Sequence, residues 1–158
     1  MIAAAVLTVS DRSASGVRDD AAGPVAVAAL REAGFACADP AVIPDGADAV
    51  ERALRDLRAS GIRLIVTSGG TGVAPRDETP EGTARVIERA LPGVAEELRR
   101  SGLAQTPMSM LTRGLAGVAG DALIVNLPGS PRAVAEGMPV VLSVAAHVLA
   151  QLEGEDHR

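Results

Sequence analysis

Leu64-Ile65-Val66-Thr67-Ser68-Gly69-Gly70-Thr71-Gly72 runs from a short apolar stretch directly into a glycine-rich turn. Such a stretch, closed by glycines, reads as a buried strand ending at a loop. Glycines there let backbone N–H groups approach a phosphate closely, and a helix start just beyond adds positive potential. An ordinary tight turn would need the same glycines only for positive φ, so the turn alone leaves both readings open. Its context favours the phosphate: a buried strand precedes it, and Pro75-Arg76-Asp77-Glu78-Thr79-Pro80 follows.

Working outward, strand and helix patterns alternate. Residues 3–9 form a short apolar run, followed by a polar loop over 10–23. Pro24 suits the first turn of a helix reaching about residue 33, where Gly34 ends it. Residues 35–43 make a second strand, interrupted by Pro40. The spacing of Val50, Ala53, Leu54 and Leu57 predicts an amphipathic helix over 45–60. Thr79 caps a helix that begins at Pro80 and extends past Arg85 and Arg89 to the Pro92-Gly93 punctuation, and a second helix spans 94–100. Residues 103–120 hold a short helix and a hairpin-like element around 115–118. A last strand covers 122–127, a long helix 133–152, and residues 154–158 form a disordered tail. The alternation implies one domain over 1–153, a three-layer α/β/α sandwich on a mostly parallel sheet.

Composition narrows the chemistry. Among the 158 residues every Lys/Arg position is Arg, which removes the Walker-type phosphate loop and any Schiff base. Cys37 is the only cysteine, and His147 and His157 are the only histidines, so a cysteine zinc site and a Ser-His-Asp triad are both unexpected. Phe35 is the only aromatic residue and the net charge is -5, a poor match to nucleic acid. No signal peptide or membrane span is read, and the protein is expected in the cytoplasm. Carboxylates, Arg, hydroxyls, backbone amides and a borrowed metal ion remain for catalysis. Cys37, Met108 and Met110 read as core residues, and His147 as a packed or interface residue.

Four polar clusters follow predicted strands: Ser10-Asp11-Arg12-Ser13, Pro44-Asp45-Gly46, the turn from Ser68 to Gly72, and Asn126-Leu127-Pro128-Gly129-Ser130-Pro131. In an open parallel sheet these strand ends share one edge, where ligands bind. Asp77 is spare as a cap if Thr79 caps the helix after it. Asp45 is ambiguous, because it could be the N-cap of its own helix. Two carboxylates near a phosphate loop, with no Lys, make best sense as Mg²⁺ ligands. Arg132 at a helix start opposes the helix dipole, and an anionic partner would explain it.

These residues resemble the signature of the MogA/MoaB family of molybdopterin adenylyltransferases, which is similar to the G domain of gephyrin and of its plant counterpart. The resemblance rests on the 64–72 stretch followed by Asp77, and on Val9-Ser10-Asp11-Arg12 with Ser15-Gly16. Asp20 with Gly23-Pro24, Ile43-Pro44-Asp45, Asp77-Glu78-Thr79-Pro80, Pro92-Gly93 and the 126–131 run follow in order. It implies the molybdenum-cofactor-biosynthesis-protein fold, a homotrimer or a hexamer of trimers, and AMP transfer from ATP to the molybdopterin phosphate with Mg²⁺. It assigns the nucleotide to Ser68, Gly69, Gly70, Thr71 and Gly72, and essential acids, which also hold the metal, to Asp45 and Asp77. Pterin contacts fall on Ser10, Asp11, Ser15, Asn126, Pro128, Gly129, Ser130 and Arg132. The product's consumer would be a molybdate-insertion enzyme. Ala22, where the family often has Ser, puts one hydroxyl contact in doubt; Ser68 stands where Thr or Leu is usual. A binding-only paralogue or an assembly scaffold would share the pattern, but retention of both acids favours the enzyme.

Overall fold

The computed structural model describes residues 1–154; of the tail read from the sequence, residues 155–158, with His157, lie outside the described residues. The sheet is built around β1 (Ala3–Val9), β4 (Leu64–Ser68) and β7 (Ala122–Leu127), which pair in parallel. On the far side of β1 lie β2 (Ala36–Cys37) and β3 (Ala41–Ile43), both parallel to it. They are two pieces of the single strand expected over 35–43. Pro40, lying between them, has no N–H for a ladder bond. The other edge is antiparallel: β6 (Ala116–Ala119) pairs with β7 and with β5 (Arg89–Ala90). The order β2-β1-β4-β7-β6-β5, with β3 beside β1, makes a seven-stranded, mostly parallel sheet.

Side chains alternate across this sheet, and each face has its own core. Ala4, Val6, Leu64, Val66, Leu123 and Val125 point to the face covered by α2 (Gly23–Glu32) and α6 (Pro131–Leu152), with α5 (Pro92–Leu103) packed beside α6. Leu7, Val9, Ile65 and Ile124 point to the other face, against Val50 and Leu54 of α3 (Ala47–Ala59) and Val86 beyond α4 (Thr79–Ala84). The three-layer sandwich expected from the alternation is therefore present. By length and composition α6 is apolar enough to cross a membrane. Here it buries Val134, Met138, Val141, Ala145 and Leu149 in the core of the first face.

Several expectations are corrected. The 10–23 loop contains a one-turn helix, α1 (Asp11–Ala14), capped by Ser10, whose Oγ accepts from Ser13 N at 3.2 Å. The helix starting near Pro80 stops at Ala84 and does not reach Pro92. Residues beyond it extend along the edge of β6, where Glu88 N donates to Val118 O at 3.0 Å and Leu91 N to Ala116 O at 2.8 Å. Continuing the helix would leave that sheet edge unpaired, and β-branched Val86 and Ile87 favour the turn away from it. Met108 and Met110 are 61% and 64% exposed on a 3₁₀ turn, Pro107–Leu111, and are not core. Cys37 is half-buried against the first core.

Gly82 fixes how closely α4 approaches α3. A Cβ there would lie 2.6 Å from Ala47 O and 2.8 Å from Val50 Cβ. Gly82→Ala should destabilise the protein by about 1–3 kcal/mol through overpacking, read as a lowered midpoint in a denaturant melt.

Candidate active site

The four polar clusters do converge. The parallel strands β1, β3, β4 and β7 end at one edge, and a cleft of about 850 Å³ opens there. Thr8, Ser10, Asp20, Asp45, the 68–72 turn, Asp77 and residues 126–131 all line it. The chain leaves β1 toward β2 and β3 on one side, while β4 lies on the other. The cleft thus sits at the reversal of strand order, where open α/β sheets bind ligands.

The glycine turn is held by contacts that only glycine allows. Gly69 has φ +100°, and a Cβ on it would fall 2.3 Å from Val9 O. Gly70 has φ +67°, and a Cβ there would meet Thr79 Oγ1 at 2.3 Å and Asp45 Oδ1 at 3.0 Å. A Cβ on Gly72 would lie 2.9 Å from Asp77 Oδ2. The two acids therefore stand against the turn itself, one at Gly70 and one at Gly72.

Thr79 was expected to cap the helix after the turn. It is instead the first residue of α4, and its Oγ1 donates to Gly69 O at 2.9 Å. Asp77 is indeed not a helix cap; its Oδ2 accepts from Ala74 N at 3.0 Å and tightens the turn. Asp45 does not cap the helix that follows it. The N-cap of α3 is Gly46, and Glu78 Oε2 takes the Ala47 N–H at 2.9 Å. Asp45 Oδ2 accepts from Asp11 N at 2.9 Å, leaving Oδ1 beside Gly70. Burial pushes the Asp45 carboxyl above its ordinary value; the Asp11 N–H bond opposes this, and the negative charges of Asp11 and Asp77 add to it. The Arg76 guanidinium, by contrast, holds Asp11 below the usual carboxylate range.

Residues expected at the pterin separate into two groups. Ser10, Asn126, Pro128, Gly129 and Ser130 line the cleft; Asp11, Ser15 and Arg132 do not. The Asp11 carboxylate faces Arg76 and the Asp45 N–H. Ser15 Oγ donates to Arg12 O, and Arg132 pairs with Glu136 and hydrogen-bonds Gln105. Asn126 is 3% exposed and its amide is fully engaged. It donates to Thr67 Oγ1 at 2.9 Å and Thr83 Oγ1 at 3.0 Å, and accepts from Leu115 N at 3.0 Å. It braces the cleft floor. Ser130 caps α6, accepting from Ala133 N at 3.1 Å. Ser68 Oγ donates to Pro128 O at 3.0 Å.

Sequence reasoning missed Arg113 and Thr8. Arg113 Nε donates to Gly72 O at 2.8 Å, Nη2 to Asp77 O at 2.7 Å, and Nη1 to the Glu81 carboxylate at 2.6 Å. One guanidinium thus takes carbonyls at both ends of the loop carrying the second acid. Thr8 Oγ1 donates to Asp20 Oδ2 at 2.7 Å, while Asp20 Oδ1 accepts from Gly23 N at 2.9 Å at the start of α2. No local signal singles out Arg113; the Asp20 match to the family element was the available hint for the other.

A cleft at the carboxyl ends of parallel strands, with a glycine turn and flanking carboxylates, places the chain among the open α/β proteins whose ligand sites lie at a switch point of the sheet. Residues 5–147 match the family described as probable molybdopterin binding domain. A molybdopterin adenylyltransferase of Haemophilus influenzae is 36% identical over 150 residues, covering 91% of this chain and 75% of that one. A molybdenum cofactor biosynthesis bifunctional protein of Synechococcus elongatus is 36% identical over 154 residues, 98% of this chain but 48% of that protein. The chain spans about half the length of such curated relatives. The crystal structure of the molybdopterin biosynthesis enzyme MoaB of Thermus thermophilus superposes with a TM-score of 0.90 at 41% identity, covering all of both chains. The chain belongs to the MogA/MoaB family of molybdenum cofactor biosynthesis proteins.

Asn126→Ala should separate bracing from ligand contact. It strands two buried threonine hydroxyls and the Leu115 N–H, and should cost about 2–4 kcal/mol of stability in urea unfolding.

Proposed function

We propose that this chain adenylylates molybdopterin, with ATP as the donor. The terminal phosphate oxygen of the pterin attacks the α-phosphorus of ATP. A new oxygen–phosphorus bond forms, and the bond to the β-phosphate breaks, its electron pair leaving with pyrophosphate. The observation that carries this reading is the pair of acids, Asp45 and Asp77, seated against Gly70 and Gly72 of a backbone-amide turn at the sheet's switch point. The name of the Haemophilus influenzae relative supports the same reaction.

The reaction needs no strong base, because a phosphate is already ionised near neutral pH. Positioning and charge neutralisation are what remain for the protein to supply. The 68–72 turn would hold the ATP phosphates through backbone N–H groups from Gly70 onward, since the Gly69 N–H donates to Leu127 O, with Arg113 and Thr79 anchoring carbonyls of the loop. Ser10, Pro128, Gly129 and Ser130 would face the pterin from the neighbouring strand ends. The donor set suits Mg²⁺. Asp45 and Asp77 supply hard oxygens, and no cluster of three metal-ligating side chains is found among the described residues. A dication there would complete its shell with substrate phosphates and water. When bound, Mg²⁺ would supply neutralisation of charge on the reacting phosphates.

The same reading implies a homotrimer, or a hexamer of trimers, in the cytoplasm, with a molybdate-insertion enzyme as consumer of the product. Exposed Leu103, Met108, Met110 and Leu111 give the chain apolar surface for assembly. Analytical ultracentrifugation at micromolar concentration should show three chains per particle; a monomer alone would reject the trimer.

The direct test is to incubate purified protein with molybdopterin, ATP and Mg²⁺ and detect the adenylylated product and pyrophosphate by mass spectrometry and a coupled assay. Asp77→Asn keeps an acceptor for the Ala74 N–H, so the thermal midpoint and much of the pterin affinity should persist. Single-turnover transfer should fall roughly a thousandfold or more, since charge neutralisation at the transition state is worth several kcal/mol. Asp45→Asn, which can still accept from Asp11 N, should behave likewise. Near-normal turnover in Asp77→Asn would remove it from the reaction.

A further inference from the structure

The two acids belong to separate loops. Asp45 follows β3, and Asp77 lies in the segment after the glycine turn. One exposed ion pair ties these loops together. Arg76, next to Asp77 in the chain, grips the Asp11 carboxylate with Nε and Nη2, each at 3.0 Å. The same Nη2 donates to Asp45 O at 2.8 Å. Asp11 and Asp45 are joined reciprocally: Asp11 N donates to Asp45 Oδ2 at 2.9 Å, and Asp45 N donates to Asp11 Oδ1 at 3.1 Å. In this frame Asp11 and Asp45 are thus each bonded at backbone and side chain, and Arg76 contacts both.

The side chains of Arg76 and Asp11 are 63% and 44% exposed, and neither lines the cleft. An ion pair so open to water adds little to folding. The planar guanidinium fork, however, fixes distance and orientation in a way a point charge cannot. Arg76 also places positive charge beside Asp11 and Asp45, while the negative charges of Asp11 and Asp77 both bear on Asp45.

We infer that the Asp11–Arg76 pair is a positioning device that sets the separation and orientation of Asp45 and Asp77 across the glycine turn. This rests on the adenylyl-transfer reading for its consequence in turnover, but its geometry is independent of it. Asp11 and Arg76 act through the acids, without touching substrate.

The test uses the full chain as Arg76→Gln, Arg76→Lys and Asp11→Asn. Hydrogen–deuterium exchange of peptides covering 10–13, 44–46 and 73–78 reads the frame directly. Single-turnover adenylylation across a Mg²⁺ titration reads its consequence, and molybdopterin affinity serves as the comparison. Arg76→Gln should speed exchange in all three segments while leaving β4 and α6 protected. It should raise the Mg²⁺ concentration needed for half-maximal rate and lower turnover about ten- to a hundredfold, with pterin affinity little changed. Arg76→Lys, which keeps the charge and loses the fork, should fall between Gln and the parent chain, and Asp11→Asn should follow Gln. Unchanged exchange in the three segments would overturn the inference whatever the turnover. So would changed exchange with parental turnover and Mg²⁺ dependence, or an equal loss of pterin affinity. If the parent chain forms no product while exchange responds as expected, the adenylyl-transfer reading fails and the frame stands.

Discussion

Backbone crosses backbone where Gly69 passes over the end of β1, and the site depends on that contact. The carbonyl of Val9 occupies the space a Cβ on Gly69 would need, at 2.3 Å. Gly129 closes in from the far side, its own Cβ position 3.2 Å from Gly69 Cα. The carboxyl ends of β1, β4 and β7 can therefore meet with no side chain between them. This lets the loops after β3 and β4 reach each other, Arg76 bonding Asp11 and the Asp45 carbonyl. A larger residue at Gly69 would separate the strand ends, and the acids with them.

Around that contact the charges divide between two sides. No Lys is available, so the cations are guanidinium groups: Arg18 and Arg99 line the cleft, while Arg76 and Arg113 stand behind it. Arg76 holds Asp11, and Arg113 holds Gly72, Asp77 and Glu81. Each uses its fork to fix backbone carbonyls or carboxylates in position, which an ammonium does less well. At the glycine turn itself the facing side chains are acids, Asp45 at Gly70 and Asp77 at Gly72. The rise of the Asp45 carboxyl above its ordinary value has the same origin: burial and the neighbouring negative charges disfavour its ionised form.

The layers, the central strands, the order of the polar clusters and the two acids that stand against the glycine turn were legible in the sequence. These are local signals. Apolar runs near residues 3–9, 64–67 and 122–127 must be buried, glycines mark strand ends, and one strand-end cluster implies the edge where the others must gather. The allocation of polar contacts was not legible there; tertiary packing sets it. Thr79 spends its hydroxyl on Gly69 O because the turn folds back over α4, and the Ala47 N–H at the start of α3 goes to Glu78 from another loop. Asn126 braces Thr67, Thr83 and Leu115, although its motif reads as a ligand contact, and Arg132 turns away to Glu136 and Gln105. The helix from Thr79 ends early because β6 needed an edge partner. In each case the deciding group lies on another element, often far along the chain. A hydrogen-bonding side chain takes the partner that packing brings within about 3 Å, and spacing along the chain does not encode that partner.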